Sequence, residues 1–191
     1  MRLDLVVGPN GAGKSTFVEL LLAPLRPSVP FVNADVIAAQ RWPEDPQGHS
    51  YDAAVVAART RERLLELREP FLAETVFSHP SKLELIDAAE ATGYTVALHV
   101  LLVPEELTVA RVAQRVANGG HAVPEEKIRS RYQRVWPLVA DAIGRVDTAY
   151  VWDNSRFDGP DEVALFVGGF SVGRCRWPAW TPPALSELGS T

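Results

Sequence analysis

The chain alternates short, largely apolar runs with longer stretches whose apolar residues recur at helical spacing. Leu3 to Val7 is one such run and stops at Gly8, as a buried strand would. Lys14 to Leu22 follows with Phe17, Val18, Leu21 and Leu22 at helical spacing, so the opening reads strand, loop, helix. Pro24, Pro27 and Pro30 end that helix, because proline has no N–H to donate and clashes with the preceding turn. A second strand is predicted near Phe31 to Ala34, ending on Asp35. Past a polar loop through Pro43, Pro46 and Gly48, a helix is expected from Tyr51 to Arg68. Its apolar side is built from Ala54, Val55, Ala58, Leu64, Leu65 and Leu67, with Arg59, Arg61 and Arg63 assigned to the surface. Phe71 to Val76 reads as a third strand, and Ser81 with Glu84 forms a capping-box pattern opening a helix that ends near Gly93.

Thr95 to Val103 is almost wholly apolar, the mark of a strand covered on both faces. Pro104-Glu105-Glu106 and Pro124-Glu125-Glu126 each open a helix, with proline in the first turn and acids at the positive end of the dipole. Between those helices, Asn118-Gly119-Gly120-His121 reads as a helix stop and a loop. Ala149 to Trp152 supplies a fifth strand, ending on Asp153-Asn154. Five strands alternating with helices predict an α/β fold, a mostly parallel sheet with helices on both faces. The length of 191 residues suits one domain, a core over 1–155 and an extension over 156–191. In that extension Val163 to Val167 and Phe170 to Val172 read as short strands ahead of Trp177-Pro178-Ala179-Trp180.

Composition narrows the function classes. An apolar fraction of 47% with 23% charged residues is that of a globular protein rather than a disordered one. A net charge of −5 without any basic run argues against nucleic acid as the partner. The single cysteine, Cys175, excludes an internal disulfide framework, and no Cys and His spacing suggests zinc. No apolar stretch reaches membrane-spanning length, and Met1 to Gly8 carries an acid where a signal peptide would not, so no membrane association and a cytoplasmic location are expected.

The strongest chemical signal is Gly8-Pro9-Asn10-Gly11-Ala12-Gly13-Lys14-Ser15, which satisfies G-x-x-x-x-G-K-[ST] between a strand and a helix. Glycines allow backbone N–H groups to wrap around phosphate oxygens at the N-terminus of a helix. Gly8, Asn10, Gly11, Ala12, Gly13, Lys14, Ser15 and Thr16 are the expected nucleotide-binding set for ATP or GTP. Lys14 reaches the β and γ phosphates, and the Ser15 hydroxyl is the expected Mg²⁺ ligand. The same wording occurs in transporter-type ATPase domains, but their Leu-Ser-Gly-Gly motif and their apolar strand ending in Asp-Glu are both missing.

Ligands of parallel sheets bind at the C-terminal ends of the strands, where Asp35 and Glu74 fall. Asp35 is the candidate base for an acceptor hydroxyl, with a helix N-cap as its alternative role. Glu74 is costly in an apolar strand unless paired with an ion or a ligand, and Ser78 and His79 join it on the substrate side. Arg111 and Arg115 lie one helical turn apart before the Gly119-Gly120 loop, and Lys127, Arg129 and Arg131 follow it. Arg115 and Arg131 are the candidate lid residues that offset charge on a moving phosphoryl group. Asn154 is the candidate adenine-side residue. These features fit a kinase acting on a small-molecule hydroxyl, or a regulatory ATPase or GTPase with no acceptor.

The ordered set Gly8 to Thr16, Asn33-Ala-Asp35, Glu74-Thr-Val-Phe-Ser78, Gly93-Tyr-Thr-Val with Val103-Pro104, Gly119-Gly-His-Ala-Val-Pro124, Arg131-Tyr132 and Asp153-Asn-Ser155 resembles the zeta toxin family of P-loop kinases. The resemblance runs through about Ser155 and implies a five-stranded parallel core with the phosphate loop at its centre. It also implies transfer of a phosphate to UDP-N-acetylglucosamine, with Lys14 on the phosphates, Asp35 as base, Glu74 on the substrate side, and Arg115 and a second arginine in the lid. An antitoxin protein would be the partner of a true toxin. Two features depart from that family: the chain has little room for substrate-binding insertions, and its Trp-Pro tail is not a family hallmark.

Overall fold

The computed structural model describes residues 1–117 and 123–189. Its centre is a seven-stranded sheet in the order β2-β3-β1-β4-β5-β6-β7. The strands are β1 (Arg2–Val7), β2 (Phe31–Val32), β3 (Phe71–Thr75), β4 (Thr95–Leu102), β5 (Thr148–Asp153), β6 (Asp161–Val167) and β7 (Phe170–Ser171). β1 to β5 pair in parallel, which gives the expected five-stranded core with β1 in the middle. β6 and β7 extend it antiparallel, so the sheet is mixed and larger than the five strands expected. Both come from the segment after Gly159, whose apolar runs find an open edge beside β5.

The helices are α1 (Lys14–Phe17), α2 (Ala34–Arg41), α3 (Ser50–Leu67), α4 (Ser81–Ala91), α5 (Glu105–Ala117), α6 (Glu125–Arg145) and α7 (Pro183–Ser186). α1 does not end at Phe17 but continues as a π-helical stretch over Val18–Leu22 and a 3₁₀ turn over Ala23–Leu25. That rotation leaves Leu21 exposed although its spacing predicted burial. α3 also presents a different stripe: Ala53, Ala57 and Leu65 are buried, whereas Ala54 and Leu67 are exposed. The reason is that Ser50, Ala54 and Arg61 line a cleft rather than the core or the bulk surface, with the buried Ala57 forming its floor on the same stripe.

Apolar residues cover both faces of the sheet. On one face Leu3, Leu5, Val7, Leu98, Val100 and Leu102 pack with Ile86 of α4 and Trp136 of α6. Trp177, Trp180 and Leu185 of the Trp-Pro tail join this same cluster, which accounts for the aromatic residues so near the end of the described chain. On the other face Val6, Leu72 and Leu101 pack against Phe17, Val18 and Leu22.

The acid inside the first apolar run is explained here. Asp4 is almost fully buried and accepts hydrogen bonds from Arg2 at 2.7 and 3.0 Å, with His99 of β4 at 3.2 Å and Arg26 at 3.7 Å. Burial pushes its carboxyl up, but the bonds from His99 and Arg2 outweigh that and hold it down at about 2. A buried carboxylate that would be destabilising alone is thereby neutralised.

Candidate active site

The loop between β1 and α1 is shaped by glycines at positions that side chains cannot take. Gly13 caps α1 in a left-handed conformation at φ 85°, and a Cβ there would lie 2.6 Å from the Asn154 side-chain nitrogen. Gly11, at φ 73°, would bring a Cβ to 2.9 Å from the Thr108 carbonyl. Asn154 leaves the end of β5 and donates to the Ala12 carbonyl at 2.7 Å, while Arg111 of α5 donates to the Asn154 carbonyl at 3.0 Å. The loop is therefore braced from β5 and α5 before any ligand binds.

Lys14 is buried at 7% exposure and donates to the Pro9 carbonyl at 2.9 Å, folded back on its own loop. Burial lowers its pKa, partly offset by the nearby Glu74 and Asp35 carboxylates, while Arg115 adds to the lowering. Ser15 donates to Glu74 at 3.2 Å, which brings the acid of β3 to the residue expected to hold Mg²⁺. The second oxygen of Glu74 is buried without a hydrogen-bond partner. Burial raises the pKa of Glu74, against the pull of Lys14 and the Ser15 bond.

Asp35 does not end a strand, and it is not an N-cap. β2 stops at Val32, and Asn33 caps α2, its side-chain oxygen accepting from the backbone N–H of Asp35 at 2.7 Å and of Val36 at 3.3 Å. Asn is as strong a cap as Asp, so the helix starts one step earlier and leaves the Asp35 side chain free to face the cleft. Past β3 the chain turns at Phe77, which is fully buried yet sits at φ 60°. A left-handed phenylalanine is a strained conformation of the kind held at functional sites.

These elements enclose a cleft of about 730 Å³. Of the residues singled out in the sequence, it brings together Asn10, Gly11, Gly13, Lys14, Ser15, Thr16, Asp35, Glu74, Ser78, Arg115 and Arg131. Gly8 and Ala12 are buried behind the loop and shape it. Asn154 lines a neighbouring cavity of about 490 Å³ with Gly11, Gly13, Thr16, Arg111 and the fully exposed Phe157, on the side expected for a base.

Three expectations shift. His79 is exposed and is not brought into the cleft; its Nδ1 lies 2.9 Å from the Ser81 hydroxyl and accepts from the Ser81 backbone N–H at 3.2 Å. The Ser81 capping box is absent, because α4 starts at Ser81 with Pro80 in the cap position. Arg61, assigned to the surface, lines the cleft, as does Lys82, which the sequence reading passed over. The lid glycines Gly119 and Gly120 lie outside the described residues, but Arg129 ties the flanking helices together. It binds Glu106 of α5 at 2.6 and 2.9 Å and Glu125 of its own helix at 2.9 Å.

The residues present fit a phosphate ligand and its magnesium ion. A Cβ at Gly8, Gly11 or Gly13 would collide with Leu101, Thr108 or Asn154, so only glycines let the loop take this shape; Glu74 leaves one buried oxygen unpartnered, and Ser15 is within its reach. Among the described residues no three His, Cys, Asp or Glu cluster to make a metal site. No helix among the described residues is long and apolar enough to cross a membrane.

The mixed α/β sheet with a phosphate loop after its central strand defines a P-loop protein with a kinase-like fold. The chain belongs to the AAA domain family, whose model matches residues 3–138. An uncharacterized protein of Haemophilus influenzae is 30% identical over 126 residues, 65% of this chain and 88% of that protein. Among solved structures, a chain of the AvrRxo1-ORF1:AvrRxo1-ORF2 complex with sulphate ions matches 90% of this chain with a TM-score of 0.71 at 17% identity. The same complex with ATP gives a TM-score of 0.69 at 17% identity over 88% of this chain. The PezAT chromosomal toxin–antitoxin system of Streptococcus pneumoniae gives 0.64 at 14% identity, over 85% of this chain and 69% of that one. The chain spans 60% and 59% of the two AvrRxo1 complex chains, and the likeness at these identities is one of fold.

The carboxylate of Glu74 offers a direct test of the cleft's electrostatics. Its folded pKa is raised, so below the ordinary value of 4.5 the group is protonated in both states and contributes nothing. As pH climbs through that value the unfolded chain ionises first, and the folded state carries a penalty that is complete above its own raised pKa. Glu74→Gln is therefore expected to stabilise the ligand-free protein by about 1 kcal/mol near neutral pH, the scale of one unpaired buried oxygen. The gain should fade as pH falls towards about 4, and urea unfolding at both pH values measures it.

Proposed function

We propose that the chain is an ATP-dependent phosphotransferase that moves the γ-phosphoryl group to a hydroxyl of a small molecule. The observation that carries this reading is the meeting of Lys14, Asp35, Arg115 and Arg131 in one cleft, from four separate parts of the chain. Asp35 accepts the proton of the acceptor hydroxyl, whose oxygen bonds to phosphorus as the bond to the ADP oxygen breaks. Lys14 leaves the Pro9 carbonyl for the phosphates, and Arg115 and Arg131 offset the charge spread over the moving group. Ser15 would hold Mg²⁺, which supplies charge neutralisation at the phosphates, and Glu74 orients its side of the cleft. Asn154 and Arg111 border the base, and GTP is the alternative donor.

The family resemblance read from the sequence, together with the fold shared with the PezAT toxin–antitoxin system, supports a zeta toxin-like kinase with a nucleotide-sugar acceptor and an antitoxin partner. Labelled phosphate transfer from ATP is to be screened across sugars, nucleotide sugars and nucleosides. Acceptor-dependent ADP release is the expected result. ADP release that no acceptor stimulates would instead favour a regulatory ATPase.

A further inference from the structure

Arg61 of α3 and Lys82 of α4 line the cleft from two different helices. Both also line an adjoining cavity of about 350 Å³ with Glu74, Thr75 and Ser81. Neither makes a hydrogen bond or an ion pair among the described residues, although Glu62 and Glu84 border the same cavity. Arg63, Arg129 and Arg145, by contrast, are each bonded to a carboxylate. Burial lowers the pKa of both Arg61 and Lys82, and the Arg61 charge lowers that of Lys82 further. Two cations are thus held close together and partly desolvated, with Glu62 acting on Arg61 only at a distance and no carboxylate bonded to either, an arrangement that an anion bound between them would stabilise.

We infer that Arg61 and Lys82 form an anion clamp for the acceptor, so that the substrate already carries a phosphate group before it is phosphorylated. This rests on the kinase reading for the word acceptor, but not for the binding of the anion. A guanidinium fork with a neighbouring ammonium matches the two negative charges of a phosphomonoester or a diphosphate bridge; a carboxylate would leave one positive charge over. The clamp also accounts for the α3 stripe: Ser50, Ala54 and Ala57 give the cleft a wall of small side chains, and Arg61, one turn further along the helix, brings a charge to it. The acceptor's charged end then sits away from the triphosphate loop, while its hydroxyl reaches Asp35.

Calorimetry of inorganic phosphate into protein saturated with Mg²⁺ and a non-hydrolysable ATP analogue tests the clamp, because the phosphate loop is then already filled. Wild-type protein should bind phosphate, and the Arg61→Gln and Lys82→Gln variants should each bind it about tenfold more weakly, the loss of one charge-assisted bond. Unchanged affinity for the ATP analogue shows that the variants are folded, and Lys82→Arg should retain binding. No phosphate binding by the wild type, or equal binding by the double variant, overturns the inference. Acetate binding as tightly as phosphate at equal ionic strength overturns the phosphate assignment in favour of a carboxylate. Failure of the kinase reading registers separately, as absent acceptor-dependent ADP release with phosphate binding intact.

Discussion

Lys14→Met should lower phosphate transfer by about a thousandfold or more while leaving the ligand-free protein at least as stable as the wild type. The first half follows from the position of Lys14 at the loop, where a fixed positive charge in a partly water-excluded cleft acts on the transferring group. The second half follows from its surroundings. The ammonium is buried, its pKa is lowered by that burial, and its hydrogen bond goes to the Pro9 carbonyl rather than to a carboxylate. The Pro9 carbonyl keeps another donor in the variant, the Ala12 N–H at 3.2 Å. Methionine has nearly the same reach and carries no charge to desolvate, so replacing the ion is expected to be neutral or favourable. Thermal melts with and without Mg²⁺ and ATP separate the two effects. The wild type should gain stability on binding and the variant much less. A large fall in the ligand-free melting temperature would make Lys14 a structural residue instead.

How much of this was legible before the structure depended on the range of each signal. The phosphate loop is local: its glycines, lysine and serine act on neighbouring backbone, so eight consecutive residues carried it. The strands of the parallel core were legible because Leu3 to Val7 and Thr95 to Val103 are apolar but for Asp4, Thr95 and His99, as a strand covered on both faces needs. Local competition decided the misses. Asn33 and Asp35 can each cap a helix, and nothing along the chain says which backbone N–H groups lie nearest. Ser81 had the right partner at the right spacing, yet Pro80 took the cap position. The role of Arg61 was hidden because helical spacing shows which residues share a face, not whether that face meets core, solvent or cleft. Lys82 and Arg111 depend on helices brought together from distant parts of the chain, for which one sequence offers no signal.

Asp35→Asn should reduce the maximal transfer rate between about a hundredfold and ten-thousandfold, the range for loss of a general base, with little change in nucleotide affinity. The substitution is nearly isosteric, and the cap of α2 belongs to Asn33, which receives the backbone N–H of residue 35 whatever its side chain. The helix should therefore persist, with only a few tenths of a kcal/mol lost from removing an acid near its positive end. Single-turnover transfer with saturating ATP and acceptor isolates the chemical step from binding. Asp35 is exposed in the cleft, whereas Glu74 is held by Ser15 and pushed towards its neutral form by burial. A base must be free to meet the acceptor, and its exposure in the cleft makes Asp35 the better placed of the two. Full transfer by Asp35→Asn would overturn that ranking and make Glu74→Gln the next variant to measure, with loss of transfer there marking β3 as the source of the base.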